Sequence, residues 1–213
     1  MKLYDYFRSS AAYRVRIAMN LKGVKPLREF VHLRKNVQRS DDYLALNPQG
    51  LVPALVTDDG DVLTQSLAII DYLDETHPEP PLLPAGAAER ARVRGIALEI
   101  ACDIHPLNNL RVLLYLKNTL GVSDEQKDAW YKYWVDVGLE ALETRLARDP
   151  ATGRFCHGNA TTLADVCLVP QLANARRMKI DVTPFPTLTR IESACNALPA
   201  FADAVPSKQP DAE

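Results

Sequence analysis

The segment "HPEPPLLPAG", His77 to Gly86, carries four prolines in ten residues. Proline lacks a backbone N–H and clashes with the preceding helical turn, so neither a helix nor a central strand runs through this stretch. It reads as a linker that divides the 213-residue chain into domains at 1–81 and 88–213, and the two sides are patterned differently. Before the linker, "KLYDYF" is a short aromatic strand, and "AAYRVRIAMNLKG" sets Val15, Ala18, Met19 and Leu21 at helical spacing before closing on Gly23. "LREFVHL" alternates as a second strand, and "DDYLALNPQG" is a short helix stopped by Pro48 and Gly50. "LVPALVTDDGDVLTQ" holds two apolar runs around Asp59-Gly60, a hairpin signal. "SLAIIDYLDETHP" opens on Ser66 as an N-cap, with Leu67, Ile70 and Leu73 on one face. The order through residue 77 is βαβαββα. Beyond the linker, helices are predicted over Ala88–Cys102, Pro106–Leu120, Asp124–Ala147, Leu163–Ile180 and Pro186–Leu198, with capping-box spacing at Ser123–Gln126 and Thr162–Asp165. The tail "PSKQPDAE" is polar and proline-broken and reads as loosely ordered. The fold class is therefore an α/β domain followed by an all-α domain.

Charge and cysteines narrow the function classes. A formal net charge of -2 and a pI near 6.1 supply no basic field for a polyanion, so nucleic acid and acidic membrane surfaces are poor partners and small molecules fit better. Cys102, Cys156, Cys167 and Cys195 are scattered, without C-x-x-C spacing or closely spaced histidines, so no metal site is expected. No stretch approaches the roughly 20 apolar residues that cross a bilayer, and a cytoplasmic protein with reduced thiols is expected.

Several short motifs have two readings each. Ser9 and Ser10 are adjacent hydroxyls where the first strand meets the first helix, and either one suffices as an N-cap; Ser10 is expected to share that role. Pro53 in "VPAL" sits inside a strand reading. A cis Val52-Pro53 bond would turn the Val52 amide and carbonyl outward to pair with an extended ligand, but only about 5–6% of X-Pro bonds are cis, so an edge-strand proline is the expectation from local sequence. Gln65 and Ser66 lie at a helix N-terminus, where free amides and the positive dipole end suit a carboxylate, although a plain cap explains them equally. In "CDIHPLNNLR", Asp103 and His105 read as caps of a helix around Pro106.

Together, "SSAAYRVRIAMN", "NPQGLVPAL", "QSLAIIDYLDE", the proline-rich linker and "TLADVCLVPQLANARRMKIDVTPFPTL" resemble the glutathione transferase family. Within it they resemble the zeta class, which includes maleylacetoacetate and maleylpyruvate isomerases. The first segment is similar to the class signature S-S-C-x-x-R-V-R-I-A-L, and the resemblance covers nearly the whole chain. One position departs from it: Ala11 stands where the class often has cysteine, so any role of that thiol is absent here.

The resemblance implies a thioredoxin-like domain that binds glutathione as cofactor, then a helical domain that supplies the second-substrate pocket. It makes Ser9, supported by Ser10, the catalytic group at the glutathione sulfur. It gives Val52 the cysteinyl backbone of glutathione, Gln65 and Ser66 its γ-glutamyl end, and Gln49 a place in the matching loop. Asp103, His105 and Asn109 would face the partner subunit's glutathione in a homodimer. Arg8, Arg111 and Arg177 would grip the carboxylates of a small dicarboxylate substrate, while Arg176 is solvated and Arg14 and Arg16 brace the structure. The implied reaction is the cis–trans isomerisation of maleylpyruvate or maleylacetoacetate to its fumaryl isomer, in aromatic-compound catabolism, with the tripeptide recycled. Two rivals share the scaffold: a general transferase or dehalogenase acting on small electrophiles such as α-haloacids, and a non-catalytic binding module, against which the complete set Ser9, Val52, Gln65 and Ser66 argues.

Overall fold

In the computed structural model, which describes all 213 residues, strand β1 (Lys2–Asp5) forms the spine of a four-stranded sheet of order β2-β1-β3-β4. Strand β2 (Leu27–Phe30) runs parallel to β1, with Lys2 opposite Leu27 and Asp5 opposite Phe30. Strand β3 (Ala54–Val56) runs antiparallel to β1, and β4 (Val62–Thr64) antiparallel to β3. A parallel pair requires a crossover, and α1 (Ser10–Leu21) provides it between β1 and β2. Helix α2 (Asp41–Leu46) follows β2 after two short 3-10 turns, and α3 (Ser66–Thr76) follows β4. The observed order is the βαβαββα of a thioredoxin-like domain. Its core packs α1 and α3 together through Val15, Ile17, Ile69, Ile70 and Leu73, all 0–1% exposed, with Leu3 and Leu55 from the sheet.

The chain divides into two compact units, Met1–Leu82 together with Asn196–Glu213, and Leu83–Cys195. The tail therefore clusters with the sheet domain, whereas the sequence division at 1–81 and 88–213 left it with the helices. Nor is it loose. Helix α9 (Pro199–Ala202) buries Phe201 fully, Asn20 donates to the Ala200 carbonyl at 2.9 Å, and Gln209 is buried, accepting from Arg28 and donating to the carbonyls of Asp203 and Val205. Pro206 opens a 3-10 turn rather than breaking order. Proline stops regular helix but leaves carbonyl acceptors free, and here side chains from the sheet domain use them.

Arginine 16 explains how the first unit holds its shape. Its guanidinium is 4% exposed yet donates to Asp5 Oδ1 at 2.8 Å, to the carbonyls of Phe7 and Ala204 at 3.0 and 3.1 Å, and marginally to that of Tyr6 at 3.5 Å. Asp5, fully buried, also pairs with Arg28. A buried charge is tolerable when every lone pair and proton is met, and removing one partner exposes the desolvation cost of the other.

In the second unit, α4 (Ala87–Leu98) passes into a π-helical turn, Glu99–Ile104, then a 3-10 turn, His105–Asn108, before α5 (Leu110–Asn118). The helix expected from Pro106 thus begins at Leu110, with Asn109 as its N-cap. Neither Asp103 nor His105 caps it. Helix α6 (Asp124–Arg148) crosses the π turn at Gly138, where a Cβ would lie 2.4 Å from Ile104 Cδ1. Its capping box from Ser123 and Gln126 is formed. Helix α7 (Leu163–Arg177) buries eleven of its fifteen residues, so it is the central helix of this unit, and α8 (Pro186–Asn196) completes it. At the start of α7, buried Asp165 accepts from the Thr162 amide and hydroxyl and from the Cys156 amide, at 2.8–2.9 Å. No helix is long and apolar enough to cross a membrane.

Replacing Asp5 with alanine leaves Arg16 buried without its counter-charge, and a loss of about 3–5 kcal/mol is expected in urea unfolding of the purified chain. A loss under about 1 kcal/mol would show that the carbonyl partners of Arg16 suffice without the carboxylate.

Candidate active site

Three chain segments meet at one end of the sheet because of its register. Tyr4 lies opposite Ala54, and Ala54 opposite Thr64. The residues after β1, before β3 and after β4 are therefore neighbours: Phe7 to Ser10, Val52-Pro53, and Gln65-Ser66.

The first segment is a turn closed by the Ser9 amide donating to the Tyr6 carbonyl at 2.9 Å. Ser9, extended at φ -71 and ψ 115, is the N-cap of α1, and its Oγ accepts from the Ala12 amide at 3.2 Å. The cap thus belongs to Ser9 alone. Ser10 is already the first helical residue and is buried. A capping hydroxyl uses a lone pair, so the proton of half-exposed Ser9 stays available as a donor. No acidic side chain occupies the first turn of α1 to neutralise its positive end. The guanidinium of Arg8 stacks 4.9 Å from the centre of the Phe7 ring.

The second segment is a tight loop. Asn47 holds it from inside, donating to the Leu51 carbonyl at 2.8 Å and accepting from the Gln49 amide at 3.1 Å. The Tyr43 hydroxyl donates to the same Leu51 carbonyl at 2.7 Å. Gly50 sits at φ +60, and a Cβ there would come 2.8 Å from the Gln38 carbonyl. Val52-Pro53 is cis, contrary to the edge-strand expectation. Pro53 precedes β3, an inner strand, so it removes no ladder donor.

The third segment corrects the cap of α3. Gln65, not Ser66, is the N-cap, in the left-handed region at φ 70. A non-glycine residue there carries strain, and such strain collects at functional sites. The Gln65 side-chain Nε2 donates to Gln49 Oε1 at 3.0 Å, tying the second and third segments together. Ser66 is buried at the first helical position, where its Oγ accepts from Arg14 at 3.3 Å. Arg14 and Arg16 both brace the unit, as the sequence reading has it.

The second unit carries the remaining candidates. Asp103 is exposed on the π turn, and His105 opens the 3-10 turn. Asn109 uses its Oδ1 to cap α5, accepting from the Val112 amide at 3.2 Å, which leaves its side-chain NH2 as a donor. Arg111 is exposed on α5. Arg177 is exposed at the last residue of α7, its only hydrogen bond a marginal 3.5 Å contact to Asn174. Arg176 is held by Glu192 instead of being merely solvated. No group of three His, Cys, Asp or Glu residues is placed to hold a metal ion.

Comparison with known proteins identifies the family of this chain. Residues 3–81 match the N-terminal domain of glutathione S-transferases. The chain is 51% identical over 213 residues to a probable maleylacetoacetate isomerase of Vibrio cholerae, covering 99% of this chain and 97% of that one. The chain belongs to the glutathione transferase family. Over the full length of both chains it is similar to the holo structure of maleyl pyruvate isomerase, a bacterial glutathione S-transferase of the zeta class, at 48% identity and a TM-score of 0.97. It is similar, again over both full chains, to a maleylacetoacetate isomerase from Methylobacterium extorquens with malonate and GSH bound, at 45% identity and a TM-score of 0.98.

Sequence reasoning missed the supporting shell of this zeta-class transferase. Nothing in "DDYLALN" marks Tyr43 and Asn47 as the residues that hold the Gln49–Val52 loop, because all three of their contacts run to main-chain atoms of a turn. The tail offered no signal either, yet Asp211 accepts from the Phe7 amide at 2.9 Å, beside Arg8 and Ser9.

Burial pushes the Tyr43 hydroxyl up to about 12. A phenol held protonated in the folded state stabilises it fully below the unfolded value of about 10, and that contribution disappears as pH rises through the folded value. Tyr43→Phe is therefore expected to be less stable than the native chain by about 1 kcal/mol at pH 8, with the gap narrowing when urea unfolding is repeated at pH 11. A gap that stays constant between the two would show that Tyr43 titrates as an ordinary surface phenol.

Proposed function

We infer that this chain is a glutathione-dependent cis–trans isomerase that converts a maleyl keto-dicarboxylate, maleylpyruvate or maleylacetoacetate, to its fumaryl isomer. The observation that carries the reading is the capped, acid-free start of α1, where Ser9 keeps a free hydroxyl proton, combined with full-length similarity to isomerases of both substrates. The residues present fit the tripeptide. A thiolate needs donors without competing acids, and an α-carboxylate needs a helix N-terminus, which α3 offers with no acidic residue in its first turn. Bound there, glutathione supplies a sulfur nucleophile that adds to the cis double bond and leaves after rotation.

Each residue then has a role in the proposal. Ser9 donates to the sulfur, and the α1 dipole, with Ser10 fixing the first turn, favours its anionic form. Lowering a thiol pKa from about 8.5–9 to about 6.5–7 asks roughly 3 kcal/mol of these groups together. Val52 pairs with the cysteinyl backbone, Gln65 and Ser66 take the γ-glutamyl end, and Gln49 steadies Gln65 through their hydrogen bond. Arg8, Arg111 and Arg177 take the substrate carboxylates, since a planar guanidinium binds a carboxylate through two donors in fixed geometry. The unit Met1–Leu82 serves glutathione and Leu83–Cys195 the second substrate, with the tail Asn196–Glu213 bracing the first. We place the protein in the cytoplasm.

We also infer a homodimer, in which Asp103, His105 and Asn109 serve the partner subunit's glutathione. Helix α5 supports it: the helix buries none of its nine residues and leaves Leu114 and Tyr115 at 41% and 57% exposure. Light scattering on the purified protein is expected to give about twice the 23.7 kDa of one chain; a monomer mass would remove the partner role of these three residues.

The deciding assay follows the absorbance of each maleyl acid with and without glutathione. Turnover is expected only with glutathione, falling about a hundredfold in Ser9→Ala, while Arg177→Ala mainly raises the KM for the acid. Equal rates without glutathione, or an unchanged rate in Ser9→Ala at saturating glutathione, would overturn the reading.

A further inference from the structure

The tail of the chain reaches the turn that carries Arg8 and Ser9. Asp211 Oδ2 accepts from the Phe7 amide at 2.9 Å, across 204 residues of sequence. On the other side of the same residue, Arg16 donates to the Phe7 carbonyl at 3.0 Å, and the Ser9 amide donates to the Tyr6 carbonyl at 2.9 Å. Phe7 is thus gripped at both main-chain polar groups, one by the helix that follows and one by the tail. Its ring is buried at 4% exposure, packs edge-on against Tyr6 at 4.9 Å, and forms the platform on which the Arg8 guanidinium lies.

The tail is itself tied to the sheet domain independently of Asp211. Gln209 accepts from Arg28 at 2.8 Å and donates to the Asp203 and Val205 carbonyls, and Glu213 meets His32 Nε2 at 2.7 Å. Asp211 therefore sits between two anchored points and is presented to the turn from a fixed support.

We propose that Asp211 is a positioning residue for the reaction, holding the Phe7 peptide so that the Arg8 guanidinium and the Ser9 hydroxyl keep their places. The inference rests on the functional reading above for the roles of Arg8 and Ser9. A misplacement of about 1 Å at a reacting group costs up to a hundredfold in rate, so one main-chain hydrogen bond next to two such groups has leverage on turnover beyond its share of stability. Without the carboxylate, the Phe7 amide turns toward water and the Phe7 ring loses one of the two constraints that keep it under Arg8. The residues assigned to the tripeptide's backbone and carboxylate, Val52, Gln65 and Ser66, lie on other segments and keep their own supports.

The test compares the full-length native protein with Asp211→Ala and Asp211→Asn. Asparagine retains a side-chain oxygen that accepts from the Phe7 amide, and alanine does not. In Asp211→Ala, the KM for the maleyl acid is expected to rise about tenfold while the KM for glutathione moves less than about twofold. The pKa of the bound glutathione thiol, read from thiolate ultraviolet absorbance, is expected to rise by about half a unit. Asp211→Asn is expected to restore both values, which a long-range charge effect would not produce, while a purely structural role would move neither value in the alanine variant. An alanine variant with a lowered melting temperature but native KM and native thiol pKa would overturn the proposal, and so would an asparagine variant that behaves like alanine. Should the native chain turn over neither maleyl acid, the functional reading would fall, while the thiol pKa of the three proteins would still decide whether Asp211 positions the turn.

Discussion

The buried guanidinium of Arg16 is the interaction on which the first unit depends. One side chain satisfies the carboxylate of the last residue of β1 and bonds carbonyls of the turn after it and of the tail. A guanidinium has five donors in a rigid plane and stays charged under all ordinary conditions, so it can serve a strand end, a turn and a distant segment at once. The turn it fixes is the one that presents Arg8 and Ser9. Burial of this charge costs stability that apolar side chains would not, and what it contributes in return is a single permitted geometry for the strand–helix junction.

The candidate site is built by the sheet's register as much as by its side chains. Because Tyr4, Ala54 and Thr64 lie in one row, the ends of three strands open onto the same edge. Two helices, α1 and α3, point acid-free N-termini from that edge. Amide donors and positive dipole ends are thereby available together, which suits a ligand carrying both a carboxylate and an ionised sulfur. Strain at Gln65 and the close approach of Gly50 to Gln38 belong to the same edge, where the backbone is held out of its preferred shapes by neighbouring loops.

The second unit follows a different logic. Helix α7 is buried nearly all round, so the other helices pack about it, and its start is locked by Asp165 accepting three hydrogen bonds. Burial raises the Asp165 carboxyl, and the three donors oppose that rise. After the π turn at Glu99–Ile104, Pro106 opens a 3-10 turn over His105–Asn108 instead of a regular helix, so α5 starts only at Leu110, after the Asn109 cap.

By itself the sequence determined the division at the proline-rich linker, the βαβαββα order, the capping boxes at Ser123 and Thr162, and the segments that hold Ser9, Val52 and Gln65. These depend on local physics: proline's missing donor, apolar periodicity, and side chains that satisfy helix-end amides a few residues away. Only the tertiary structure decided that Ser9 and not Ser10 caps α1, that Gln65 and not Ser66 caps α3, that Val52-Pro53 is cis, and that the tail packs on the sheet domain with Asp211 against Phe7. A cap is chosen by where the chain turns into the helix, and that angle is set by packing against other elements. A polar tail becomes ordered only when donors far away in sequence, such as those of Arg16, Arg28 and Phe7, come within hydrogen-bond reach of it.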